Sequence, residues 1–227
     1  MSQKSQEFLR TSILNNIRPR LVAEQNIKKE QERDVYVEHF LDLGIAYQAN
    51  IGGIPCTITK FMLKQAVIKT KGLREVAIRN MEPEVEIRDM VSIIAEGMFQ
   101  EKNEIVEQET PPMYVVRAGQ FFGKEEMTNG AAAILSERVR EKILGYMGES
   151  AYLLPCSTEE IIACPCRSMD PMSRKMEERE LLDIIRTVNR SECINNPLFL
   201  SDNLYHLQKD GRITVITGKG GNVYESV

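Results

Sequence analysis

The run Phe40-Leu41-Asp42-Leu43-Gly44-Ile45-Ala46-Tyr47, followed by Asn50-Ile51-Gly52-Gly53, constrains the fold more than any other stretch. An apolar run of strand length that ends in Asn and paired Gly is expected to turn back on itself, because those residues take positive φ at low cost. Residues 54–58 then read as the returning strand of a hairpin. Such a sheet has an apolar face to bury, and the flanking sequence offers helices to cover it.

Residues 5–18 carry Phe8, Leu9, Ile13, Leu14 and Ile17 at helical spacing, and Pro19 interrupts them. Arg20-Leu21-Val22 reads as a short strand, and Lys28 to Asp34 as a charged, solvated connector. Thr59 is placed to cap a helix with Phe61, Met62, Leu63, Ala66 and Val67. Gly72 separates it from a second helix with Leu73, Val76, Ala77 and Ile78. Pro83 is expected to start a third, carrying Ile87, Met90, Val91, Ile94 and Met98.

Residues 100–112 are polar, end in two prolines and read as a connection between lobes. Residues 113–117 read as a strand with residues 130–135 as its partner, and Ser136 caps a helix with Val139, Ile143 and Leu144. Short strands are expected at 152–154 and 161–163, and Asp170-Pro171 starts a helix with Leu181, Leu182, Ile185 and Val188 on one face. Residues 201–207 and 213–216 close the chain as a hairpin, before a frayed Gly218-Lys219-Gly220-Gly221 tail. The expected class is α+β: short antiparallel or mixed strands with helices packed against them. Two lobes are expected, 1–102 and 103–227, packed against each other.

Charge narrows the function classes. The net charge is −4, with 29 basic and 33 acidic residues mixed along the chain, so a nucleic-acid partner is not expected. No stretch reaches the length of a membrane-spanning helix, and the first residues carry no signal-peptide core. Five cysteines, without the spacing of a disulfide framework, point to the cytoplasm. No metal and no cofactor are expected, since Cys164-Pro165-Cys166 lacks the paired Cys-x-x-Cys of a thiolate zinc site.

The densest chemistry lies in Pro155-Cys156-Ser157-Thr158-Glu159-Glu160, between two apolar segments. Cys156 or Ser157 could serve as a nucleophile with Glu160 as its base. Two neighbouring carboxylates, however, raise a thiol pKa, and His39 and His206 are both remote in sequence. Ser157 with Glu160 also has the Ser-x-x-Glu spacing of a capping box, and this structural role is the preferred reading. Tyr152, Thr158, Glu159, Asp202 and Tyr205 are candidate binding residues around the same turn. Asp42, inside the most apolar run, is expected to find a structural partner, and Ser201-Asp202-Asn203 suits an Asx-type turn.

Several segments together resemble a bacterial domain family of unknown function, found mainly in Gram-positive anaerobes. They are Arg20-Leu21-Val22 with Asn26; Phe40-Leu41-Asp42-Leu43; Thr59 to Leu63 with Leu73, Ala77 and Asn80; Met113-Tyr114-Val115-Val116; and Asn129-Gly130 to Leu135. Tyr152-Leu153-Leu154-Pro155-Cys156-Ser157, Val188-Asn189 and Leu200-Ser201-Asp202-Asn203-Leu204-Tyr205 complete the set. The resemblance runs over residues 15–217 and is to the C-terminal two-thirds of the family, whose members usually carry a further N-terminal segment. Their turn after Leu-Pro typically places a His where this chain has Glu159.

The resulting expectation is a non-catalytic cytoplasmic bacterial accessory protein that binds another macromolecule, most simply a protein. Two alternatives stand beside it: a hydrolase-like enzyme using Cys156 or Ser157 with Glu160, and a mobile-element or phage factor that inhibits a host protein.

Overall fold

Helix α1 (Gln3–Asn16) begins where the Ser2 hydroxyl accepts the backbone N–H of Ser5, and it ends before β1 (Arg18–Ala23). Pro19 lies within β1, which is an edge strand, where a missing N–H is tolerated. Helix α2 (Glu24–Glu32) replaces the expected connector. Its only buried residue is Ile27, which packs with Val22, Val35 and Ala46. A surface helix with a single apolar anchor has no periodic signature.

Strands β2 (Glu38–Phe40), β3 (Leu43–Ile51) and β4 (Ile54–Thr57) follow. The hairpin at residues 50–53 is present, with Ile51 opposite Ile54 and positive φ at Gly52 and Gly53. Strand β3 pairs antiparallel with β1, β2 and β4 in a four-stranded sheet. Helix α3 (Lys60–Gln65) is capped by Thr59, and α4 (Leu73–Met81) starts after Gly72.

The expected third helix is divided. Pro83 lies in a 3-10 turn, and residues 85–89 form β5 (Val85–Asp89); only the remainder is helical, as α5 (Met90–Met98). Val85 and Ile87 alternate as a strand requires, and Ile87 lies opposite Val116 of β6 (Tyr114–Ala118). Tertiary pairing overrides the helical spacing there. The expected strand at 130–135 is a buried 3-10 segment, Gly130–Leu135, that leads into α6 (Glu137–Met147). Strands β7 (Ala151–Leu154) and β8 (Glu160–Pro165), helix α7 (Pro171–Glu192), and strands β9 (Leu204–Leu207), β10 (Ile213–Ile216) and β11 (Asn222–Tyr224) complete the order. Strand β11 takes up residues just beyond the tail expected to fray, pairing with β10.

The computed structural model describes residues 2–98, 112–118, 129–155, 157–168, 170–192, 198–218 and 222–224. Nearly all of the expected connection at 100–112 lies outside them. Seven antiparallel strands form the second sheet, in the order β11-β10-β9-β7-β8-β6-β5. The main core joins Leu21, Leu43, Ile45 and Tyr47 of the first sheet to Val116, Leu153, Ile161, Tyr205, Leu207 and Val215 of the second. The opposite face of the second sheet buries Tyr152, Leu154, Cys164 and Leu204 beneath Leu182 and Ile185 of α7. This alternation is what a sheet covered on both faces requires. The α+β class therefore holds. The lobes 1–102 and 103–227 are a statement about folding units that sheet membership does not decide. Strand β5, from the first half, pairs with β6 from the second, and one core draws on both.

Candidate functional site

The turn at 155–160 is tied down by its own backbone. Ser157 Oγ accepts the N–H groups of Glu159 and Glu160 at 3.2 and 3.3 Å, as a local Ser turn does. Thr158 N–H donates to the Leu198 carbonyl at 2.8 Å, and the Thr158 carbonyl accepts from Ala131 N–H at 3.2 Å. Below it sits Gly130, where an added Cβ would lie 2.0 Å from the Glu159 carbonyl and 2.7 Å from Ala118 N. Only glycine fits between these two backbones. Glu160 lies opposite Arg117 across β8 and β6. Burial raises its pKa, Arg117 opposes that rise, and Glu159 adds to it. Among the described residues, no hydrogen bond joins Ser157 Oγ to the Glu160 carboxylate. Cys156 lies outside the described residues.

Asp42 is the centre of a second constellation. It follows Leu41, whose φ of 55° is left-handed, in the two-residue turn between β2 and β3. Its Oδ1 accepts the Tyr205 hydroxyl at 2.6 Å, and its Oδ2 accepts Ser201 Oγ and Asn203 Nδ2, both at 2.8 Å. Asn189 of α7 donates to the Ser201 carbonyl at 3.0 Å and to Asp202 Oδ1 at 2.8 Å. The Ser201 N–H donates to the Pro155 carbonyl at 3.2 Å, linking this network to the turn. Tyr205 is fully buried, and burial followed by the Asp42 charge holds its phenol protonated well above the ordinary value. Three donors on one carboxylate compensate for its partial burial between the sheets. The knot ties the first sheet to the second and to α7.

Tyr152 and His206 face α7, with ring centroids 5.4 Å apart. Tyr152 hydroxyl donates to Glu178 at 3.4 Å. Burial, with Arg174 nearby, lowers the His206 pKa, and burial pushes the Cys164 thiol up to about 12. A thiol held protonated is a packing group and not a nucleophile. Cys56, Cys164 and Cys166 are free. Among the described residues, no three His, Cys, Asp or Glu side chains are grouped to hold a metal, and no helix is long and apolar enough to cross a membrane.

The proposed site residues therefore divide. Asp202 and Tyr205 join Asp42 and Asn189 in one network, Ser157, Thr158, Glu159 and Glu160 form the adjoining turn, and Tyr152 points to the α7 side. A further surface was missed. Between Leu43 and Arg74 the chain has five basic residues, Lys60, Lys64, Lys69, Lys71 and Arg74, and no acidic one, a signal that was readable. Arg74 pairs with Glu38 at 3.0 Å, whereas among the described residues Lys64, Lys69 and Lys71 form no ion pair. In sequence Phe61 and Val67 fall among them, and both are exposed.

A family of unknown function, DUF5688, matches residues 3–209, and the chain belongs to it. The matched span contains the Asp42 knot, the turn at 155–160 and the lysine-bearing face. No curated protein and no solved structure matches the chain.

Proposed function

We propose that this is a non-catalytic accessory protein of the bacterial cytoplasm that acts by binding another protein. The observation that carries this reading is the exposure of Phe61 and Val67, at 62% and 61%, with Val67 lining a groove together with Lys69 and Lys71, which form no ion pair among the described residues. Apolar side chains rimmed by unpaired charge are what a docking surface presents to a partner. The free thiols of Cys56, Cys164 and Cys166 agree with a reducing compartment. The hydrolase reading draws no support from Ser157, whose oxygen is engaged by its own turn.

The test is affinity capture of the tagged full chain from native lysate, quantified by mass spectrometry, beside a Ser157→Ala/Glu160→Ala variant. One stoichiometric protein partner, retained by the variant, is expected. Absence of a partner, or a small molecule lost with the variant, would contradict the proposal.

A further inference from the structure

Helix α3 ends in a way that costs stability. The Ile68 N–H returns to the Leu63 carbonyl at 2.9 Å, and the Val67 N–H to the Lys64 carbonyl at 3.2 Å. This is the Schellman arrangement, whose left-handed position usually holds glycine. Here that position is Val67, with φ of 52°. A β-branched residue is strained there. Its side chain is also 61% exposed, so packing does not repay the strain. A valine that neither suits its backbone nor fills the core points to a use outside the fold.

Val67 borders a groove of about 350 Å³ between α1 and the α3–α4 junction. Leu14, Ile68, Leu73 and Val76 supply further apolar lining, and Arg10, Lys69 and Lys71 supply charge. Arg10 fixes one wall, donating from Nη1 to the Val67 carbonyl at 2.6 Å, which leaves its other N–H groups for a ligand. The nearby carboxylate, Glu75 in the first turn of α4, is exposed and makes no ion pair among the described residues.

Taking the protein-binding reading as its premise, we propose that this groove docks a short acidic segment of the partner, with its carboxylates on Lys69, Lys71 and Arg10 and an apolar side chain against Val67. Charge complementarity selects this occupant. The chain as a whole carries −4, which repels a long polyanion, while the groove offers three cations. Three cations are a small footprint beside the basic stripe or excess that marks a nucleic-acid binder. Two or three carboxylates with an apolar anchor match what the groove presents.

The test is selection of short random peptides displayed on phage against the immobilised full chain, followed by fluorescence anisotropy of each enriched peptide. Enriched sequences are expected to combine Asp or Glu with Leu, Ile, Phe or Met. Their affinity should fall roughly tenfold or more with Lys69→Glu/Lys71→Glu, and should weaken as salt is added. Val67→Gly separates fold from function: its melting temperature should hold or rise, while peptide affinity falls about tenfold. Failure to enrich any peptide, enrichment of peptides without acids, or indifference to these variants would overturn the proposal. So would tighter binding of a single-stranded RNA oligonucleotide or of phosphatidylglycerol vesicles. Stoichiometric capture of a partner undiminished by Lys69→Glu/Lys71→Glu would exclude this groove and leave the accessory reading standing.

Discussion

The knot around Asp42 and the lysine face over residues 60–71 use polar groups in opposite ways. At Asp42 a carboxylate takes three donors from residues some 160 positions away in sequence, and Tyr205 beneath it is fully buried. On the lysine face, cations stand exposed without ion-pair partners among the described residues, and apolar side chains stand with them. On the proposed reading, the gathering of hydroxyls, amides and carboxylates at Asp42 serves the fold and not a site. Such groups close the gaps between two sheets and a helix, where each unmade hydrogen bond is costly. Polar groups left over by folding mark the surface proposed for binding.

The largest effect that could break this comparison is expected at Gly130. Gly130→Ala sets a methyl group against the Glu159 carbonyl and Ala118 N, and neither backbone can yield without moving a strand. A loss of about 3 kcal/mol is expected in urea unfolding. A cost near zero would mean the turn at 155–160 is loosely held, which would reopen it as a chemical site. Ser157→Ala should cost about 1 kcal/mol, as loss of a local cap does, with partner capture unchanged. Loss of capture with unchanged stability would move the functional surface to the turn.

The smallest effect is a pH dependence at His206. Burial holds its folded pKa below the ordinary value of 6.5, so the unfolded chain takes up a proton that the folded chain refuses. Its contribution to stability is present above that value and is lost as pH falls through the histidine range toward the folded pKa. The His206→Gln variant should show a shallower fall in melting temperature on acidification. An equal or steeper fall would show that the α7 side of the sheet is not dry.

Local features were legible where local chemistry decides them. Asn50, Gly52 and Gly53 marked a hairpin, Thr59 and Ser136 marked helix starts through their own hydroxyls, and Ser157 marked a turn. Helix α2 was not legible, because Ile27 alone anchors it, and β5 was hidden because Ile87 and Met90 fit a helical spacing. At 130–135, an apolar run of strand length folds as a buried 3-10 segment instead, because close backbone contact at Gly130 decides it. The Asp42–Tyr205 pairing was the least legible, since no single-sequence pattern links the two residues. Its one trace was that Asp42, Asn189 and Ser201 to Tyr205 all fall in the segments that carry the resemblance, within the residues 3–209 that the family matches. The lysine face was legible as an acid-free stretch, but the mixed charge of the whole chain concealed it.

The central claim is that the Asp42 knot serves the fold while the lysine face is spared for binding. Urea unfolding of Asp42→Ala beside Lys64→Ala/Lys69→Ala/Lys71→Ala tests it most directly. Removing Asp42 takes the acceptor from the buried Tyr205 hydroxyl and should cost about 2 kcal/mol. The triple lysine variant should stay within about 0.5 kcal/mol of the parent. Comparable losses in the two proteins, or a stable Asp42→Ala, would contradict the account.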